Sequence, residues 1–267
     1  MKDTIQLAKK IRIDAVRMVN AGGSSHIGSV LSIADILAVL YGNIMKYAPE
    51  NPKLADRDRF ILSKGHAGAG VYAALAEVGF FEKEKLLEHC QNGSIMSGHV
   101  SHKGIPGVEL STGALGHGLP VACGMAYSAK LDNKDHRIFV LMSDGELNEG
   151  SNWEAFMFAA HHKLNNLVAI IDRNRLQSMK TTEETLGLEP LADKLSVFGW
   201  KVLEVDGHDH EDLRRCLSMK DVNKPLVLIA NTTKGKGVSF MENNVAWHYK
   251  TPTDKLFEEA INELQGA

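Results

Sequence analysis

The chain has 267 residues, of which 44% are hydrophobic and 24% charged, the balance of an ordinary globular domain long enough to bury a full core. A formal net charge of −3 and a sequence pI near 6.5, with no basic cluster, exclude the electrostatic footprint of a nucleic-acid binder. Three scattered cysteines, Cys90, Cys123 and Cys216, lack Cys-x-x-Cys spacing and read as small hydrophobes of a reducing compartment, not as a disulfide framework.

In chain order, residues 4–20 place Ile5, Ala8, Ile11, Ala15 and Met18 at helical spacing until Gly22-Gly23 stops them. Charges spread through this segment make it a helix and neither a signal peptide nor a membrane anchor. A glycine and serine loop carrying His26 follows, then a helix over about 30–44. A histidine there has nothing apolar to pack on locally, so a functional role competes with a turn-stabilising hydrogen bond. A strand at 59–62 runs into Ser63-Lys64-Gly65-His66-Ala67-Gly68 and a helix over 71–78. These glycines lack dinucleotide-fingerprint order, yet they let the backbone approach a ligand at a helix N-terminus, where amides and dipole favour phosphate, and His66 stands at that point.

Residues 91–118 are glycine-rich and too long for an ordinary connection, which predicts a functional loop. His99 and His102 within it have no partners at zinc-ligand spacing. The uncharged stretch 110–129 contains glycines, a proline and hydroxyls, so it reads as a loop entering a helix and not as a membrane span.

The centre of the chain is a βαβ unit: a strand at 137–142, an acidic turn, a helix over 150–162, a strand at 167–171 and a polar turn. Right-handed crossover between neighbouring strands would open both turns on one sheet edge, with Asp144 facing Asn174. Either residue alone reads as a turn cap. Together with a main-chain carbonyl, such as that of Leu176, they form a hard-oxygen half shell suited to Mg²⁺ or Ca²⁺ carrying a diphosphate. Beyond this unit come a polar loop over 181–189, a helix over 191–198, a strand at 201–205, a helix over 209–219 and a strand at 225–230. Thr233-Lys234-Gly235-Lys236-Gly237 lacks the spacer of a phosphate loop. Trp247-His248 and a polar helix over 253–264 complete the sequence. This alternation predicts an α/β fold, a doubly wound and mostly parallel sheet with helices on both faces. One domain would span 1–267, with a C-terminal extension from about 240.

Ser143-Asp144-Gly145 followed by Asn174 resembles the thiamine diphosphate signature, with Ser143 in place of its first glycine. His26 in Ser-His-x-Gly, His66 in Gly-His-Ala-Gly, His99 in Ser-Gly-His, His248 in Trp-His and the run from Val108 to Gly116 extend the likeness. From the first helix to about His248, the chain resembles the N-terminal, diphosphate-binding domain of transketolases. The resemblance implies thiamine diphosphate with Mg²⁺, for which Ca²⁺ or Mn²⁺ could substitute. Asp144, Asn174 and the Leu176 carbonyl would hold the metal, and His66, Gly113, Leu115, Gly145, Glu146, Asn174 and His248 would contact the cofactor. His26, His66, His99 and His248 would be catalytic, binding sugar oxygens or relaying protons, a task suited to imidazoles that titrate near neutral pH. Glu149 and Glu154 match the family's buried acidic pair near the dimer interface.

Full transketolases are much longer and carry their activating glutamate outside the matched region. The expectation is therefore the N-terminal subunit of a split transketolase, inactive alone. A separate C-terminal subunit carrying the pyrimidine-binding domain would complete it as an α2β2 assembly. It would move two-carbon ketol units between sugar phosphates in the cytoplasm, with no nucleic-acid or membrane partner. A deoxyxylulose phosphate synthase-like protein is the alternative enzyme, and a scaffold that kept the fold without catalysis is the alternative outside enzymes.

Overall fold

The computed structural model describes residues 2–221 and 223–266. Helix α1 (Thr4–Gly22) starts where Asp3 accepts the amides of Ile5 and Gln6, and it stops at Gly23 in the left-handed conformation. Leu7, Ala8, Ile11, Ala15 and Met18 form its buried stripe, while Ile5 is exposed.

The helix expected over 30–44 starts earlier and is broken. It runs as α2 (Ile27–Leu31), α3 (Ala34–Val39) and a π turn (Leu40–Ile44). Ser32 marks the break. Its hydroxyl lies 3.1 Å from the Ser29 carbonyl and 2.7 Å from the buried Asp172 carboxylate, a back-bonding geometry that bends helices.

Strand β1 (Arg59–Leu62) leads through a short 3-10 turn into α4 (Gly68–Glu77). After the long glycine-rich segment come α5 (Gly118–Leu131), β2 (Ile138–Ser143), α6 (Gly150–His161) and β3 (Leu167–Arg173). The strand β3 continues two residues beyond its apolar run because Asp172 and Arg173 are buried with partners. The segment expected to be a polar loop contains α7 (Thr182–Leu186), nucleated by a capping box between Thr181 and Glu184. Helix α8 (Leu191–Val197), β4 (Lys201–Asp206), α9 (His210–Leu217), β5 (Leu226–Asn231) and α10 (Asp254–Gly266) follow.

All five strands are parallel, in the order β1-β2-β3-β5-β4. The strands β2 and β3 are buried along their whole length and divide their side chains between two cores. Phe139, Leu141, Val168 and Ile170 pack on the side of α1 to α4, α9 and α10, whereas Val140, Met142, Ala169 and Ile171 pack on the side of α5, α6 and α8. The edge strand β4 exposes Glu204 and Asp206, charges that discourage pairing with another sheet. Among the described residues no helix is long and apolar enough to cross a membrane.

Candidate active site

A parallel sheet delivers functional groups where its strands end at the carboxyl side, and here four such ends converge. The register pairs Leu62 with Leu141, Ser143 with Asp172 and Arg173 with Asn231. The residues just beyond these pairs therefore share one edge: Lys64 and His66 after β1, Asp144 after β2, Asn174 and Leu176 after β3, and Lys234 after β5. All of them except Lys64, which is buried below, meet at a cavity of about 270 Å³ that is also lined by His26, His99, Gly113, Leu115 and His248.

Asp144 is 1% exposed. Its Oδ1 accepts the Gly145 amide at 2.7 Å, and its Oδ2 accepts the Arg175 amide at 2.6 Å and the Arg173 guanidinium at 3.2 Å. Arg175 adopts φ 63°, a left-handed conformation unusual for a non-glycine residue, and this directs its amide at Asp144. Burial and the nearby Asp172 raise the Asp144 pKa against the pull of these donors. A bound cation would oppose both effects.

Asn174 donates through Nδ2 to Asp172 at 2.9 Å and accepts the Leu176 amide on Oδ1 at 3.0 Å. The Leu176 carbonyl accepts from Lys234 Nζ at 3.2 Å, and the same ammonium reaches the Gln177 carbonyl at 3.0 Å and His248 Nδ1 at 3.1 Å. An ammonium only donates, so His248 Nδ1 accepts and its proton sits on Nε2.

Beneath this layer lies a fully buried ion pair. The Asp172 carboxylate takes the Lys64 ammonium and the Ser32 and Thr232 hydroxyls. Burial opposes ionisation of Asp172, but Lys64 and these hydrogen bonds prevail and hold its pKa below the usual carboxylate range.

The four histidines predicted from separate loops come together. Ring centroids lie 4.8 Å apart for His26 and His248, 5.2 Å for His26 and His66, and 5.6 Å for His26 and His99. His26 occupies the left-handed region at φ 73°, and its amide donates to the His248 carbonyl at 2.9 Å. Burial and then His99 and the nearby lysines lower its pKa to about 4. Burial and then Lys234 lower that of His248 to about 3, and burial and Lys64 push His66 well below its ordinary value. The expectation that these imidazoles titrate near neutral pH therefore fails for three of them. They stand neutral, each with one donor and one acceptor nitrogen.

Two expected placements differ. Glu146 does not line the cavity: its carboxylate accepts from the Ser63 hydroxyl and from the amides of Gly116 and Ser143, and its own amide donates to Ser143 Oγ. Both of its ends are thus engaged inside the protein. Glu149 and Glu154 are exposed in this chain, beside exposed Met157 and Phe158, because nothing in the single chain covers that face of α6. Sequence reading also missed Ser29, Gln177, Lys234 and Tyr249, all of which line the cavity. A detectable signal existed for Lys234: it lies just past the end of a predicted parallel strand, as Lys64 does.

The residues fit a metal-bound diphosphate cofactor. His26 Nδ1 is buried without a hydrogen-bond partner. A Cβ at Gly145 would fall 2.9 Å from the Gln177 side chain, and one at Gly113 would fall 3.2 Å from the His99 ring, so both positions keep backbone open to a ligand. Among the described residues no three His, Cys, Asp or Glu side chains converge as a metal site. The candidate donor set needs none, since it consists of one carboxylate, one amide oxygen and one main-chain carbonyl. A larger cavity of about 780 Å³ shares no lining residue with this one, and its floor is an ionic network of Arg12, Asp35, His208 and His210. Lacking this convergence of strand ends, it is not the site.

Residues 4–263 match the family described as transketolase, thiamine diphosphate binding domain. The chain is 46% identical over 265 residues to a subunit of the apulose-4-phosphate transketolase of Phocaeicola vulgatus, covering 98% of this chain and 94% of that one. It is 38% identical over 260 residues to a 6-deoxy-6-sulfo-D-fructose transketolase subunit of a Clostridium species, with 97% and 94% covered. The solved transketolase of Campylobacter jejuni superposes with a TM-score of 0.91 at 30% identity, over 99% of this chain and 43% of that chain. The chain thus spans about two fifths of the solved transketolases it matches. It belongs to the transketolase family, as the N-terminal, thiamine diphosphate-binding part.

Proposed function

We propose that this transketolase chain is the N-terminal subunit of a split enzyme that transfers a two-carbon ketol unit from a ketose phosphate to an aldose phosphate. The observation that carries the reading is the placement of Asp144 and Asn174 at adjacent strand ends beneath a cluster of four histidines. Relatives of matching length, each named as one subunit of a transketolase, support a two-chain enzyme. Exposed Glu149 at the start of α6 and exposed Glu154, Met157 and Phe158 on it support a covering second chain, which we take to carry the pyrimidine-binding domain in an α2β2 assembly.

Asp144, Asn174 Oδ1 and the Leu176 carbonyl would hold Mg²⁺, with Gly145, His66 and Lys234 beside the diphosphate and Gly113 and Leu115 beside the thiazolium. When bound, the thiazolium supplies the electron sink for cleaving the ketose carbon chain. The histidines then serve the sugar: neutral His248 offers an Nε2 proton to a hydroxyl oxygen, neutral His26 presents an acceptor nitrogen to a hydroxyl proton, and the His99 ring binds a sugar oxygen beside them. Packing of the four rings around one small cavity limits the water that competes for those protons.

The test is isothermal titration of the chain with thiamine diphosphate and Mg²⁺, followed by assay with and without its partner. We expect saturable binding, negligible transfer by the chain alone, and transfer to ribose 5-phosphate with the partner present. Condensation of pyruvate with glyceraldehyde 3-phosphate by the same complex would replace this reading with a synthase.

A further inference from the structure

The cavity has a buried end and an open end. Asp144 and Asn174 lie at the buried end, and Tyr249 stands at the open one with 63% of its surface exposed. So exposed a ring adds little to the core, and its hydroxyl makes no hydrogen bond among the described residues. The ring is nonetheless held in place. Its centroid lies 4.7 Å from that of His248 at 66° and 6.0 Å from that of His26 at 56°.

The support behind it is rigid. Tyr249 closes a 3-10 turn, Val245–His248, with its amide donating to the Ala246 carbonyl. That turn is anchored by buried Trp247, whose Nε1 donates to the Phe240 carbonyl at 2.9 Å, and by the bond between the His26 amide and the His248 carbonyl. An aromatic face fixed in advance at the mouth of a sugar site loses little freedom when a ligand arrives. Sugars present C–H faces to such rings, and the phenol adds a polar handle at the edge.

Resting on the transketolase reading above, we propose that Tyr249 is a specificity-determining residue. Its ring forms a platform for the sugar carbons beyond the reacting two-carbon unit, so it favours long sugar phosphates over short aldehydes. A two-carbon acceptor would occupy the histidine cluster without extending to Tyr249. A five-carbon aldose phosphate must pass it to reach solvent.

The experiment uses the chain assembled with its partner, supplied with the ketose donor that the wild-type complex uses best. It compares kcat/KM for ribose 5-phosphate and for glycolaldehyde as acceptors. Replacing Tyr249→Ala should lower the ratio of the two values by about tenfold, mostly through KM for ribose 5-phosphate. Tyr249→Phe keeps the ring and should hold the ratio within about threefold of wild type. Equal losses on both acceptors, or an unchanged ratio in Tyr249→Ala, would overturn the proposal. A wild-type complex that transfers no ketol unit from any ketose phosphate would overturn the activity reading itself, and the role of Tyr249 with it.

Discussion

Asn174 is held by Asp172: its Nδ2 donates to Asp172 Oδ2 at 2.9 Å, which turns the amide so that Oδ1 faces the Leu176 turn. The carboxylate that orients this amide also neutralises Lys64, and neither member of that ion pair has any exposed side-chain surface. One buried group thus sets both the local stability and the geometry of the candidate metal ligand.

Removing that charge should be costly. In Asp172→Asn the Lys64 ammonium stays buried without a counter-ion, and loss of one partner of a buried pair costs about 3–5 kcal/mol. Urea denaturation should show a lowered midpoint with little change in slope.

The candidate metal ligands make a separate prediction. Asp144→Ala and Asn174→Ala should each weaken binding of thiamine diphosphate with Mg²⁺ by about 100-fold or more, read by isothermal titration. Because Asp144 is buried against Arg173, the Asp144→Ala chain should also be less stable. Asn174→Ala leaves no charge unpaired, so it separates ligand loss from destabilisation.

The histidines should act on turnover more than on binding. His26→Ala and His99→Ala should reduce kcat of the assembled enzyme by roughly 100-fold. Their effect on cofactor affinity should be much smaller, because neither ring contacts the Asp144 and Asn174 ligand set. Equal turnover in both variants and wild type would refute their assignment.

Protonation should destabilise the fold on the acid side of neutrality. His26 and His89 titrate near 4 in the folded protein and His248 near 3, in each case chiefly through burial, against an ordinary value of 6.5. Between pH 6.5 and 4 the unfolded chain therefore binds more protons than the folded one, and stability rises with pH across that window. Their neutral forms stabilise the fold fully above pH 6.5, and this contribution is lost as the pH falls toward 4. Melting temperatures at pH 7.5 and 5.0 should differ in that direction, and His89→Gln should narrow the gap.

Much of this protein was legible from residue order because the physics involved is local. Short continuous apolar runs bounded by glycine and polar turns marked β1, β2, β3 and β5, and a buried strand needs only its own side chains to be recognised. Asp144 and Asn174 were legible too, since parallel pairing of consecutive strands leaves their two turns on one edge. Ser32 shows where this ends: the sequence leads to the expectation of one helix over about 30–44, with Ser29 or Ser32 as its cap, but a hydrogen bond from Ser32 to Asp172, far along the chain, marks a break inside the helical run.

The charged and cavity-lining groups depended on the assembled fold. Lys234 and Tyr249 became site residues only when β5 was inserted between β3 and β4 and the Val245–His248 turn folded back over His26. The neutrality of His26, His66 and His248 likewise belongs to the folded state, because desolvation and lysine fields arise only after distant segments pack together. Residue order determined which groups sit at the strand ends. Tertiary packing decided their protonation, their partners and the shape of the space between them, since those depend on neighbours that no local window contains.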